Sequence, residues 1–291
     1  MVKIIDKRWA DRELIATATP ATLVQVVFFV VPVVMLIILT FQSSVYFQLV
    51  WTWDISTWNN ALGKTHHWTV LGHTLVMAVT CVTLSLLIAF PVAYALATRL
   101  KAFENHIKIL IIFAFLTDLV LKTYGWVLFL DQHGLLNWLL KSAALVGPGF
   151  DHKVVFTPTA TMIGMVYNLL PYMIFTTYLS ILGVDRNLIQ AAYDCGASKL
   201  RTFWEITLPL CRPGIWAGTV LVFVLSLGAL IEEKVIGGGM NPVMSELIHQ
   251  NFGTRINWAL GATLTVLLMA AATVIVVAFS RMYRLNVRAL G

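Results

Sequence analysis

Charge is what this chain has least of. Asp, Glu, Lys and Arg make up 12% of its 291 residues, against 59% hydrophobic residues. Soluble domains carry about 25% charged residues, so an ordinary soluble enzyme is excluded. Disorder is excluded as well, because it needs low hydrophobicity and high charge. Cysteine is scarce too. Cys81, Cys195 and Cys211 are an odd set without CxxC spacing; they give no disulfide framework and no zinc site, and three unpaired thiols are expected. There is no HExxH. His66 and His67 are adjacent in what reads as an outer loop, and His73 reads as the start of a span, so no metal site is expected. There is no Walker-type glycine-rich loop ending in Lys-Ser or Lys-Thr, and no defensible catalytic triad. The alternating ten-residue segments of a transmembrane barrel are missing, and so are internal repeats.

What is present is apolar sequence in long runs, with a mean hydropathy of +0.82. Crossing the hydrocarbon core takes about 20 apolar residues in a helix. Backbone groups in lipid must bond internally, so such runs become helices. Six candidates follow: Pro20 to Thr40, Val70 to Ala97 (interrupted by Pro91), Ile107 to Leu130, Ala160 to Leu182 (with Pro171 inside), Pro213 to Ile231, and Trp258 to Phe279. The predicted fold is an all-α polytopic membrane protein with six transmembrane helices. It comprises an N-terminal segment 1–19, a membrane domain 20–282 and a tail 283–291. The first run is longer than a signal-peptide core and has no A-x-A-type site close behind it, so it reads as a retained helix.

The net charge of +6 has a simple explanation, since cytoplasmic loops are enriched in Lys and Arg. Segments 1–19, 98–106, 183–212 and 280–291, with Lys108 at a border, hold 14 of the 20 basic residues, and the other three loops hold five. That split places the first set, and both termini, in the cytoplasm. No nucleic-acid partner is implied; membrane lipid is. Trp51, Trp53, Trp58, Trp68, Trp138 and Trp258 then fall near the outer interface, where amphipathic rings prefer to sit. Ala89, Ala93 and Ala97 recur every four residues on the second span, a small-residue face suited to close helix packing.

The loop 183–212 is long for a simple connection. Asp185 is a plausible N-cap, and Leu188, Ala191, Ala192 and Cys195 follow at helical spacing. Gly196 can end that helix with positive φ. Ser198 can cap a second short helix, which Pro209 is expected to stop. The sequence Gln190-Ala-Ala-x-x-x-Gly196, nine residues, then Ile206-x-Leu208-Pro209 resembles the EAA signature of permease subunits from bacterial ABC importers. Gln190 stands where that family has glutamate. The resemblance implies a type I importer permease fold, in which this loop is a cytoplasmic coupling helix that docks on an ATPase subunit. It further implies a second and different permease chain, two ATPase subunits that hold the ATP and Mg²⁺, a periplasmic or extracellular solute-binding protein, and a bacterial inner-membrane location. The chain itself would bind no cofactor and would be a transport subunit, not an enzyme.

Charges inside a membrane are costly and usually face a cavity or a partner. Asp118 and Lys122 lie four apart in the third span, where they would neutralise each other as an i,i+4 pair or line the translocation path. Glu232 and Glu233 close the fifth span; adjacent helical residues point about 100° apart, so one of them would face the path and Lys234 would pair with the other. Gly237-Gly-Gly239 permits a tight turn. Residues 117–126, Gly134-Leu-Leu-Asn137, Gly228 with the Gly237 run, and residues 257–262 are similar to spermidine/putrescine-type permeases. That likeness implies a polyamine solute. Asp118, Glu232 and Glu233 would supply charge, and Tyr124, Trp126 and Tyr167 would supply aromatic faces for cation–π contact. Two alternatives stay open. One is a proton-coupled secondary transporter with Asp118 or Glu232 as proton carrier. The other is an importer permease for an opine, a phosphonate or another small solute.

Overall fold

The computed structural model describes residues 7–45, 48–98, 109, 112–143 and 154–288, and their side chains except at 7–18, 21, 45, 48–49 and 282–288. Lys3, Arg99, Lys101, Lys108 and Lys153, and the start of the third span at Ile107, lie outside the described residues.

In chain order the elements are α1 (Lys7–Leu39), β1 (Ser43–Val45), β2 (Gln48–Val50), α2 (Ser56–Gly63), α3 (Thr65–Thr98), α4 (Leu119–Leu130), α5 (Leu135–Ser142), α6 (Pro158–Leu182), α7 (Arg186–Asp194) and α8 (Lys199–Thr202). A π-helical segment, Phe203–Thr207, leads into α9 (Leu208–Leu227), followed by α10 (Leu230–Val235), α11 (Met244–Phe252) and α12 (Trp258–Arg288). Among the described residues, five helical segments are long and apolar enough to cross a membrane: 22–39, 65–98, 158–182, 199–227 and 258–281. The third predicted span is instead divided at Thr117 and Asp118. The second begins at Thr65, so His66 and His67 lie in the first turn of α3 and not in a loop. Pro91 and Pro171 sit inside α3 and α6 without ending them; neighbouring helices and hydroxyl side chains let membrane helices carry proline.

The chain forms two compact units. The first contains residues 1–64 and 248–271. The 22–39 segment of α1 buries none of its residues in this chain, as suits a helix whose solvent is lipid. After it comes a short antiparallel hairpin that pairs Ser43 with Val50 and Val45 with Gln48. The sequence reading did not anticipate these strands, because three-residue strands carry no periodic signal. The hairpin is held locally: Asp54 N–H donates to the Phe41 carbonyl at 2.9 Å, and Thr57 Oγ1 donates to the Gln42 carbonyl at 3.1 Å.

The second unit contains residues 65–247 and 272–291 and is built on α3, α6 and α9. The predicted small-residue face of α3 is buried, with Ala89 and Ala93 at 0% exposure. Ala93, Leu96 and Ala97 pack with Tyr178 and Ile181 of α6 and Cys211 of α9. All three cysteines are free. A second small-residue pair, Gly214 and Gly218, lies on α9 against α6. A Cβ on Gly214 would stand 2.4 Å from Ser180 Cβ, and one on Gly218 2.2 Å from Thr176 Oγ1. Ser180 Oγ donates to the Cys211 carbonyl at 2.8 Å across the same contact. Lipid tails are as apolar as leucine, so helices in a bilayer associate through close packing and such hydrogen bonds. Gly214→Ala should therefore force α6 and α9 apart, at a cost of about 1–3 kcal/mol. We expect a lower thermal unfolding midpoint for the purified protein, with Ala217→Leu on the exposed side as the unaffected control. An unchanged midpoint for Gly214→Ala would contradict the contact.

Candidate functional site

The 183–212 loop follows its cap chemistry closely. The Asp185 carboxylate accepts the Asn187 N–H at 2.9 Å and starts α7. Gly196 has φ +82 and ends it. Its N–H donates to the Tyr193 carbonyl, and the Ala197 N–H donates to the Ala192 carbonyl, both at 2.9 Å. This is the Schellman pattern, which needs a residue that tolerates the left-handed region. Ser198 Oγ then accepts the Arg201 N–H at 3.3 Å. The expected stop at Pro209 does not occur. Leu208 N–H donates to the Phe203 carbonyl, an i to i−5 bond, and the helix runs on as α9. A proline in an α-helix clashes with the carbonyl four residues back and gives no N–H. The widened π turn before Pro209 accommodates both deficits.

The signature residues therefore divide into two groups. Gln190 and Ala191 are exposed and Ala192 is half-buried, on a helix that buries none of its residues, and Gly196 is exposed just past its end. Ile206, Leu208 and Pro209 are half-buried in the joint with α9. Behind the exposed face, Ile189 packs on the Ala93, Tyr178 and Cys211 cluster. The Phe203 ring meets Tyr94 edge-on at 5.2 Å and Phe90 at 5.8 Å. The loop is thus joined to α3, α6 and α9 by packed side chains.

The divided third span forms the second part of the site. Asp118 is the N-cap of α4, and its Oδ1 accepts the Val120 and Leu121 N–H groups at 2.8 and 3.2 Å. Lys122 Nζ donates to the Ala114 carbonyl. Asp118 and Lys122 bond to backbone and not to each other, so of the two readings the ion pair is not formed. Each satisfies backbone left open by the break: orphan N–H groups begin α4, and an orphan carbonyl ends the 112–116 helical turn. Both line a cavity of about 660 Å³ with Asn168, Tyr172 and Glu232. Glu232 is 5% exposed and accepts from Asn168 Nδ2 at 3.0 Å. A second cavity of about 340 Å³ is lined by Lys122, Gly125, Trp126, Phe129 and Tyr167. Trp126 meets Tyr167 edge-on at 5.2 Å. Tyr124 lines neither cavity and is 55% exposed. Asn168 and Tyr172 are additions that the sequence reading missed; an Asn inside an apolar run was the available signal.

Glu232 and Glu233 do point to different surroundings, as the helical angle requires. Glu233 is fully buried, and its Oε1 accepts the Asn241 N–H at 3.0 Å. Burial pushes its carboxyl above the usual range, opposed by Asn241 and the Thr161 hydroxyl. It anchors the glycine turn, in which Gly238 and Gly239 have φ of +66 and +68. Lys234 pairs with neither glutamate; its Nζ lies 3.3 Å from Glu246 Oε2, because α11 returns a carboxylate that local spacing cannot reveal.

Apolar helices long enough to span a bilayer, an exposed capped helix packed onto them, and a charge-lined cavity among them define a multi-pass membrane permease. The chain belongs to the family described as binding-protein-dependent transport system inner membrane component, whose pattern matches residues 105–290. It is 32% identical over 247 residues to the spermidine/putrescine transport system permease protein PotB of Escherichia coli (strain K12), covering 85% of this chain and 88% of the relative. It is 28% identical over 216 residues to the protein of the same name from Haemophilus influenzae, covering 74% and 75%. Its fold is similar to that of a bacterial ABC transporter involved in the import of the acidic polysaccharide alginate, with TM-score 0.67 and 17% identity, covering 96% of this chain and 99% of that one. The chain is therefore a multi-pass inner-membrane permease subunit of an ABC importer, a transport subunit and not an enzyme.

Proposed function

We propose that this permease forms the translocation path for a polyamine of the spermidine/putrescine kind. The observation that carries the reading is the 660 Å³ cavity, in which Asp118 and Glu232 supply carboxylates beside the aromatic pocket of Trp126 and Tyr167. An alkyl polyamine needs negative charge for its ammonium groups and aromatic faces for cation–π contact. The names of the relatives support the same solute class. Both termini and the 183–212 loop lie in the cytoplasm, in keeping with the distribution of Lys and Arg. Gln190, Ala191, Ala192 and Gly196 dock on one of two ATPase subunits, which hold ATP and Mg²⁺. Ile206, Leu208 and Pro209 pass the movement to α9. A second, different permease chain completes the path, and an external solute-binding protein delivers to it. ATP-driven closure of the ATPases biases a two-state bundle between outward and inward openings.

The test is ATPase activity of the co-purified complex in lipid, with receptor, across a solute panel that includes spermidine and putrescine. Stimulation by polyamine-loaded receptor is expected. Stimulation by another solute alone would discard the polyamine and keep the coupling; absence of any co-purifying ATPase would overturn the assembly proposed here.

A further inference from the structure

Lys122 is the one side chain that lines both cavities among the described residues. Its ammonium sits on neither carboxylate of the larger cavity. It is held on the Ala114 carbonyl, which in an unbroken helix would accept the Asp118 N–H. Asp118 commits Oδ1 to the amides of Val120 and Leu121, and among the described residues no hydrogen bond to its Oδ2 is seen. Glu232, 5% exposed, commits Oε1 to Asn168, and among the described residues no hydrogen bond to its Oε2 is seen. Among the described residues the cavity thus has two carboxylate oxygens open to a solute, while its own cation is tied to main chain at the helix break. Two carboxylates and one ammonium leave one net negative charge.

We propose that Lys122 is the charge-setting, specificity-determining residue of this cavity: its ammonium, tied to the Ala114 carbonyl, leaves a site for one solute ammonium at a time. The proposal rests on the amine reading given above and deepens it. A solute with several ammonium groups would engage the carboxylates with one of them. The next would lie past Lys122, against the faces of Trp126 and Tyr167, where the attraction is weaker than that of a carboxylate. A cavity with two uncompensated carboxylates would grip a dication tightly, and conduction requires that binding remain weak enough to leave. Lys122 is therefore expected to favour passage over retention.

The test uses the assembled transporter in lipid nanodiscs without receptor. Equilibrium dialysis compares radiolabelled putrescine, a diamine, with butylamine, a monoamine of the same chain length. Lys122→Gln removes the charge and keeps a donor for Ala114. It should tighten putrescine about tenfold relative to butylamine, the order of effect of one unit charge a few ångströms away in a partly wet site. Lys122→Arg should keep the wild-type ratio. Combining Asp118→Asn with Lys122→Gln restores one net negative charge and keeps an N-cap acceptor, so the ratio should return toward wild type. Amine binding with the same ratio in Lys122→Gln and wild type would overturn the charge-setting role and leave the amine reading standing. Equal weakening of both amines by Lys122→Gln would do the same, and would make Lys122 only a clip for the helix break. A wild-type complex that holds neither amine would overturn both.

Discussion

Gly196→Val is expected to reduce solute-stimulated ATPase activity of the assembled transporter about tenfold. At φ +82 the position lies in the left-handed region, and a Cβ built there meets nothing within 4 Å. The penalty is therefore backbone strain and not a clash. It amounts to about 1–2 kcal/mol for an ordinary L-residue, more for a β-branched one, and about 1.4 kcal/mol is a factor of ten. Strain would be relieved by unwinding the end of α7, so that Ala191 and Ala192 leave the shared face. The packed contacts of Ile189 and Phe203 lie on the other side of the loop, so the helices themselves should assemble. Asn adopts left-handed φ readily, and Gly196→Asn should retain most of the stimulation. The measurement is nucleotide hydrolysis in nanodiscs with and without loaded receptor. Equal stimulation in the Val and wild-type complexes would remove this turn from the coupling path.

The second large effect is expected at Glu232. Truncation to Ala removes a carboxylate from the cavity and leaves Asn168 Nδ2 without its 3.0 Å acceptor. An orphaned buried donor costs about 1–3 kcal/mol, and loss of the charge adds to this on the solute side. Uptake into proteoliposomes should fall about tenfold to a hundredfold. Glu232→Gln separates the two contributions, because Gln can still accept from Asn168 but carries no charge. Uptake by Glu232→Gln as low as that of Glu232→Ala assigns the effect to charge. Uptake near wild type would reduce Glu232 to a packing partner of Asn168 and weaken the amine reading.

The residues that behave as their sequence suggests are those whose partners lie within one helical turn. Asp185, Gly196 and Ser198 start and stop short helices through bonds that span two to five residues. Local order of residues suffices to specify such bonds. Five of the six apolar runs are equally legible, because in lipid a long run has no alternative to internal hydrogen bonding. Local order decides less where two local rules compete. Asp118 and Lys122 satisfy the i,i+4 pairing rule and also the capping rule. Capping wins because it satisfies backbone groups that lipid cannot, and an orphan carbonyl or N–H in a membrane costs several kcal/mol, in the range of ~2–7. At Pro209 the breaking rule lost to a π turn two to six residues earlier.

Composition, apolar runs and caps by themselves determined that this chain is a predominantly helical, multi-pass membrane protein with a capped signature helix between its fourth and fifth apolar runs. Tertiary structure alone decided which charges share a cavity. Asn168 and Glu232 are 64 residues apart in sequence, Thr74 Oγ1 and the Met244 N–H are 170 apart and bond at 2.8 Å, and Lys234 finds Glu246 on another helix. Gly214 and Gly218 likewise acquire meaning only from Ser180 and Thr176 on α6. The reason is one of range. Capping and turn chemistry act over a few bonds, whereas a buried polar side chain is partnered by whichever helix the packing brings within about 3 Å.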